Sequence, residues 1–365
     1  MPKDVIVVVD IDAKPRASEA LDILMVSTSG AQAVATYRSL DEVKAAFPDV
    51  AGQPQKIYRK AEALFNQGKT TLADTLIRKV KIVGVAAPTG ETDAAKAADL
   101  IEKIETLQET DNDWYILLTD EDGDEYVKAL CQFAEDSEPT EAELGAGIED
   151  HRKFYIGQTD NLALAVTNRR CALIYTVTDN LDEEADAAYL GNVGPFYPQS
   201  VTWKFKKPEG ITLPDITDAQ REALEEANVN FLTEEYKKQY VKNGTCCDGE
   251  FIDVQMGADY IANYMREELY SVFLENAKVP YTDAGFAQVA AAVFASLNRA
   301  VDLGIIARDP ESEAGVFTVT VPKRADATDD EARERKMPDI VWEAQLEGAV
   351  HSAKVTGTLR ATLSA

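Results

Sequence analysis

Three groups of side chains in this sequence have types and spacings from which chemistry could be built, and each has a plainer use to be weighed against it. Gly68-Lys69-Thr70-Thr71 has the form of the end of a phosphate-binding loop, whose backbone amides cradle phosphates while the lysine reaches them. That pattern needs a glycine five residues before Gly68. The chain has Ala63 there, inside an expected helix and not behind a strand, so a turn into the next strand is the better reading. Asp120, Asp122 and Asp124 alternate behind the apolar run WYILLT in the manner of a calcium loop, but the glycine stands at Gly123 and no glutamate holds the twelfth position. Carboxylates at a helix start are favoured by the helix dipole, which accounts for the three without a metal.

The third group is the cysteines and histidines. Cys131, Cys171, Cys246 and Cys247 are too few and too irregularly spaced for a disulfide scaffold or a zinc site. Adjacent Cys246 and Cys247 would point to opposite faces of a strand, which suits packing better than shared metal ligation. With only His151 and His351 in the chain, histidine-based metal or triad chemistry has little material. No catalytic, cofactor-binding or metal-binding residue is assigned, and no cofactor is expected.

The elements that would position any site are those of a globular protein. A chain of 365 residues, 45% hydrophobic and 28% charged, can bury a sizeable core and has room for two domains. Its net charge of -27 argues against general nucleic-acid binding and against adhesion to anionic membranes. The charge is uneven: positions 91–150 hold 20 acidic residues against 3 basic ones, -17 of the total, which reads as a solvated outer face. The start, MPKDVIVVVDID, lacks the features of a signal peptide, and no apolar run looks long enough for a bilayer, so a cytoplasmic product is expected.

Val5 to Ile11 reads as a terminal strand, free to pair within its own domain or with another chain. Leu21 to Ser27 is a second strand, STSGAQAVATY a small-residue loop, and Ser39 the cap of a short helix carrying Leu40, Val43 and Phe47 on one face, before a helix over Tyr58 to Asn66. From Val80 to Asp179 apolar strands alternate with amphipathic helices: VKIVGVA, DAAKAADLIEKIETLQ, WYILLT, EYVKALCQFAE, KFYIGQ, NLALAV and RCALIYTVT. This predicts a parallel or mixed sheet covered on both faces. Further on come a helix over Glu183 to Gly191, a strand TWKFK, a helix over Asp218 to Leu232, a hairpin turning at Asn243-Gly244 and a helix over Ala258 to Glu275. Val316 to Val321 is a strand, and Asp339 to Leu363 a closing hairpin around Glu347-Gly348.

Lys278 to Ile306 is the stretch around which the last third is organised. Pro280 blocks continuation from the preceding helix, Thr282 or Asp283 can cap a new one near Ala284, and Gly304 stops it. Phe286, Val289, Val293, Leu297 and Val301 recur at helical spacing with alanines between, which fits a core helix or a partly exposed assembly surface equally well.

Several segments together resemble the contractile tail sheath subunits of phages, tailocins and related injection devices. They are TYRSLDEVKAAFP, the acidic region ending in CALIYTVTD, AYLGNVGPFYPQSVTWKFKKPEGIT, NGTCCDGEFIDVQMGADYI, KVPYTDAGFAQVAAAV and MPDIVWEAQLEGAVHSAKVTGTL. Their order and spacing carry the resemblance, which spans most of the chain but lacks the large extra outer domains of longer sheaths. It implies an α/β (α+β overall) protein with an N-terminal arm over 1–20, an outer α/β domain over 21–200 and an inner assembly domain over 201–365. It implies a homo-oligomeric helical sheath of stacked rings around a tail tube protein, with baseplate and tail terminator proteins at its ends and neither nucleic acid nor membrane as partner. The place implied is a virion or tailocin tail, made in the bacterial host cytoplasm. Terminal arms would add strands to neighbouring subunits, with Val5, Val7, Val9, Val355, Gly357 and Leu359 as pairing positions and Gln288 and Arg299 as tube contacts. The competing classes are an α/β enzyme or small-ligand binding protein using the crevice at the strand C-termini, and a monomeric binding module.

Overall fold

The computed structural model describes residues 22–68, 77, 79–140, 152–196 and 200–354. Val5, Val7, Val9, Val355, Gly357 and Leu359, and Lys69, lie outside the described residues.

Strict alternation in the apolar strands builds one eight-stranded mixed sheet with two buried faces. Strand β1 (Ile23–Ser27) sends Ile23 and Met25 into one core and Leu24 and Val26 into the other. It lies between parallel neighbours β3 (Val80–Gly84) and β4 (Ile116–Thr119), followed by β5 (Phe154–Thr159), β6 (Cys171–Tyr175) and β7 (Asn230–Glu235). Antiparallel strands close the two edges, β2 (Gln32–Tyr37) beside β3 and β8 (Lys238–Lys242) beside β7. Cys246 faces one core and Cys247 the other, as adjacent residues of an extended segment must.

Helices cover both faces. On one lie α1 (Leu40–Ala46), capped by Ser39, α2 (Lys56–Phe65) and α5 (Ala185–Val193), every residue of which is buried. A Cβ on Gly191 would come within 2.4 Å of the Leu64 carbonyl, so a glycine is what lets α2 and α5 approach so closely. On the other face lie α3 (Asp93–Gln108), α4 (Asp124–Asp136) and α6 (Asp218–Glu226). Helices α3 and α4 turn much of the acidic 91–150 stretch towards solvent.

A second unit follows. Helix α7 (Ile252–Glu275) and helix α8 (Asp283–Asp302) pack against each other, and β9 (Phe317–Thr320) pairs antiparallel with β10 (Val341–Ala344) around a third core of Tyr260, Val293, Leu297 and Val301. Thr282 caps α8 by accepting from the Gly285 amide, and Gly304 follows it at φ +75°. By length and composition α8 could cross a membrane, although no apolar run looked that long; 56% of its apolar window is buried, so much of that apolarity is used in packing.

Several expectations need correction. The small-residue loop after β1 contains β2, an edge strand whose side chains are mostly exposed, so it shows little apolar alternation. NLALAV is no strand, because the Asn161 side chain accepts from the Ala163 amide and folds the run into a local turn. TWKFK lies along β8 and exchanges two backbone hydrogen bonds with Val241, but Phe205 at φ +64° breaks it as a strand. The helix expected to reach Leu232 ends at Glu226; Asn228 adopts φ +57° and the β-favouring residues behind it enter β7. The hairpin turns at Tyr236-Lys237, while Asn243-Gly244 forms the bend that leaves β8. Of the closing hairpin, β10 is present but pairs with β9; residues 349–354 form no strand. The sheet does not stop at residue 200 and runs on to Lys242.

Candidate functional site

In an open α/β sheet a ligand crevice forms at the C-terminal ends of the strands where the order reverses, here between β1 and β4. That place is filled by the protein's own groups. Asp120 accepts from the Ser27 hydroxyl at 2.8 Å, the Thr28 amide at 2.9 Å and the Thr28 hydroxyl at 3.0 Å. Asp122 accepts from Lys56 and from the Gln158 amide, and Asp124 from Asn161. The three aspartates that alternate in sequence thus each have a separate structural partner, at the start of α4.

Beneath them is a buried ion cluster. Lys60, 0% exposed on α2, lies 2.6 Å from Asp186, 3.3 Å from Glu184 and 3.6 Å from Asp122. Burial opposes its charge, yet the surrounding carboxylates, Asp122 foremost, hold its pKa above the ordinary lysine value. Burial pushes the Glu184 carboxyl up to about 7 despite Lys60. Glu184 also sits at φ +52° immediately before α5, a conformation unfavourable for a side-chain-bearing residue. The cluster ties α2, α5 and the β4–α4 loop together.

The opposite edge of the sheet carries a joint. Arg170, fully buried just before β6, forms a bidentate pair with Asp259 of α7, at 3.1 Å and 2.5 Å, and the Tyr115 hydroxyl donates to the same carboxylate at 2.6 Å. Burial works against the Arg170 charge, but Asp259 more than restores it, and burial pushes the Tyr115 phenol well up. This pairing anchors the first half of α7 to the sheet. Sequence reasoning missed both the joint and the cluster: Arg170 precedes an apolar strand and Asp259 lies in a helix, 89 residues apart, and only tertiary contact relates them.

Beyond the joint the surface changes character. The far half of α7 exposes Tyr270, Phe273 and Leu274, the last at 81%, and every residue of β10 is exposed, Val341 and Trp342 included. Strands β9 and β10 are a two-stranded sheet with no third strand among the described residues. Gln288 is exposed on α8 and Arg299 half-buried on the same helix, beside Tyr264. Phe286, Val289 and Val293 are buried, so α8 is a core helix on one side and a surface on the other.

Residues 252–359, the second unit, match the family model described as E217 tail sheath protein gp31-like, C-terminal domain. In fold the chain is similar to a chain in the cryo-EM structure of the anti-feeding prophage baseplate, with TM-score 0.65 and 15% identity over 99% of this chain and 100% of that one. It is similar also to the helical sheath of the anti-feeding prophage in its contracted state, with TM-score 0.64 and 14% identity over 98% and 99%. The sheath tail protein of Desulfitobacterium hafniense follows, with TM-score 0.51 and 11% identity over 86% and 93%. A search of curated proteins finds no match. The fold is that of the contractile sheath class. The match to a tail sheath domain model is confined to residues 252–359.

Proposed function

We propose that the chain is the structural subunit of a contractile tail sheath, polymerising helically around a tail tube by strand exchange and contracting to drive the tube through a cell envelope. The observation that carries this is the match of residues 252–359 to a tail sheath domain, with an exposed sheet, β9–β10, that has no third strand among the described residues and can take an incoming one. Asp22, just before β1, accepts through its carbonyl from the Tyr115 amide, and Tyr115 also contacts α7 through Asp259. This supports an inner assembly domain made of both ends of the chain, with the α/β body outside.

On this reading Val5, Val7 and Val9, and Val355, Gly357 and Leu359, are the strand-pairing positions, and exposed Gln288 with neighbouring Arg299 faces the tube. Baseplate and terminator proteins bound the sheath, in a virion or tailocin tail. Each strand hydrogen bond contributes about 0.5–1.5 kcal/mol net, and repetition through heterologous contacts makes an open filament. Arms can stay bonded while rigid bodies rotate, so contraction needs no nucleotide. No ATPase activity is expected; turnover abolished by changing Lys69 would overturn that part. Negative-stain electron microscopy of the full chain beside one lacking residues 1–12 tests the whole: striated tubes from the first and small particles from the second support strand donation. Absence of tubes from the full chain at high concentration and with its tube protein co-expressed would sink the sheath reading.

A further inference from the structure

The β7–β8 hairpin ends in a tip with features its own fold does not require. Tyr236 and Lys237 sit at φ +51° and +64°, a turn that asparagine and glycine favour and that costs residues with larger side chains strain. Tyr236 is 97% exposed, and neither Lys237 nor Lys238 forms an ion pair among the described residues. An aromatic ring and two unpaired ammonium groups are thus held out at the C-terminal edge of the sheet, on a chain whose net charge is -27. Two copies of so acidic a protein repel, and contact between them needs local charge pairing.

The other end of β8 leads, through the Asn243-Gly244 bend, to a cavity of about 380 Å³ between the body and the C-terminal unit. Val201, Asp253, Leu303, Arg308, Glu347 and Ala349 are among the residues that line it. Its wall carries three carboxylates, Asp253, Asp302 and Glu347, against one guanidinium, and that Arg308 is held by Asp302 at 2.7 Å. The Asp253 Oδ1 is buried and has no hydrogen-bond partner. Lys206 offsets its charge only through space, and burial pushes the carboxyl up to about 6. A half-buried carboxylate short of a donor, in an acidic cavity that also has apolar lining residues such as Val201 and Leu303, favours an arriving cation.

We propose that the Tyr236-Lys237-Lys238 tip of one copy docks into this cavity on a second copy. The inference rests on the sheath reading and gives it a second link, independent of the terminal arms. Tip and cavity lie at opposite ends of the same strand, so neither surface meets its own kind: the contact is heterologous and propagates along a filament and does not close a dimer. The size of the cavity, within the range of ligand pockets, suits one aromatic and one lysine side chain.

The test is disulfide trapping in the full chain carrying Lys237→Cys and Ala349→Cys, both at exposed positions; the four native cysteines are buried and do not compete. A ladder of crosslinked multimers from assembled tubes is expected. Tubes that give no ladder, or crosslinks only within single chains, overturn this contact and leave the sheath function standing. A chain that stays monomeric with no crosslinks, even with its tube protein, overturns both. A charge swap gives a second readout: Lys237→Glu with Lys238→Glu reduces tube formation about tenfold at low salt, and adding Glu347→Lys restores it. All three sites are exposed, so circular dichroism stays unchanged; loss without rescue would contradict the pairing.

Discussion

The α/β body and the C-terminal unit spend their polar and apolar groups in opposite ways. The body buries Lys60, Asp186 and Arg170 and gives each a partner of opposite charge, Asp259 of α7 serving Arg170. The C-terminal unit leaves Phe273, Leu274, Val341 and Trp342 in solvent and carries a two-stranded sheet with no third strand among the described residues. A buried ion pair specifies one geometry because any other leaves a charge unpaired, whereas exposed apolar groups and open edges gain by meeting a neighbour. Rigidity and assembly are thus divided between the two, with Arg170–Asp259 joining them.

The largest effect should come from breaking that joint. Asp259→Ala removes the bidentate partner of buried Arg170 and leaves it only Glu138, at 3.4 Å, as an ion-pair partner, and urea unfolding should show a loss of about 3–5 kcal/mol; the double variant Arg170→Met with Asp259→Leu should recover most of it. No loss in the single variant would mean that the units are not coupled through this pair.

Next is the ion cluster under changing pH. The Glu184 carboxyl has a folded pKa of about 7 against an ordinary 4.5. Between those values the folded state holds a proton that the unfolded state has released. Its contribution is therefore most favourable below pH 4.5 and is lost as pH rises through 7, an effect on the order of 3 kcal/mol. Comparing pH-dependent melting of the parent with that of Glu184→Gln isolates the slope, which should flatten in the variant.

A smaller change, about 1 kcal/mol, is expected for Thr282→Ala, which removes the cap of α8. Smallest of all in folding is Phe273→Ser with Leu274→Ser at the exposed end of α7, expected within about 0.5 kcal/mol in urea. The same pair should reduce sedimentable assembly, and a large loss of monomer stability instead would show that this tip belongs to the core.

Periodicity made much of the body legible. Ile23 to Val26 and Ile116 to Leu118 are continuous apolar runs whose residues alternate between the two cores, as strand geometry requires, and Ser39 and Thr282 cap where local hydrogen-bonding chemistry predicts. Errors fell where a single backbone angle or a neighbour decides: β2 is a strand because β3 lies beside it, and Phe205 breaks TWKFK by adopting a left-handed angle that nothing in its type announces. The terminal positions proposed for strand pairing lie outside the described residues, while Gln288 is exposed and Arg299 half-buried.

What the sequence by itself determined is the set of local decisions: where apolar faces lie, which residues cap helices, that the charged faces of the helices in the acidic stretch meet water, and that cysteines at 246 and 247 serve two cores. Each depends on neighbours within a few residues, so the information is in the string. Tertiary structure alone decided that Lys60 would sit among Asp122, Glu184 and Asp186, and Arg170 against Asp259. These are partners 62 to 126 residues apart, brought together only when the sheet order is set, and burial then makes each pairing obligatory because an unpaired charge in the interior costs several kcal/mol.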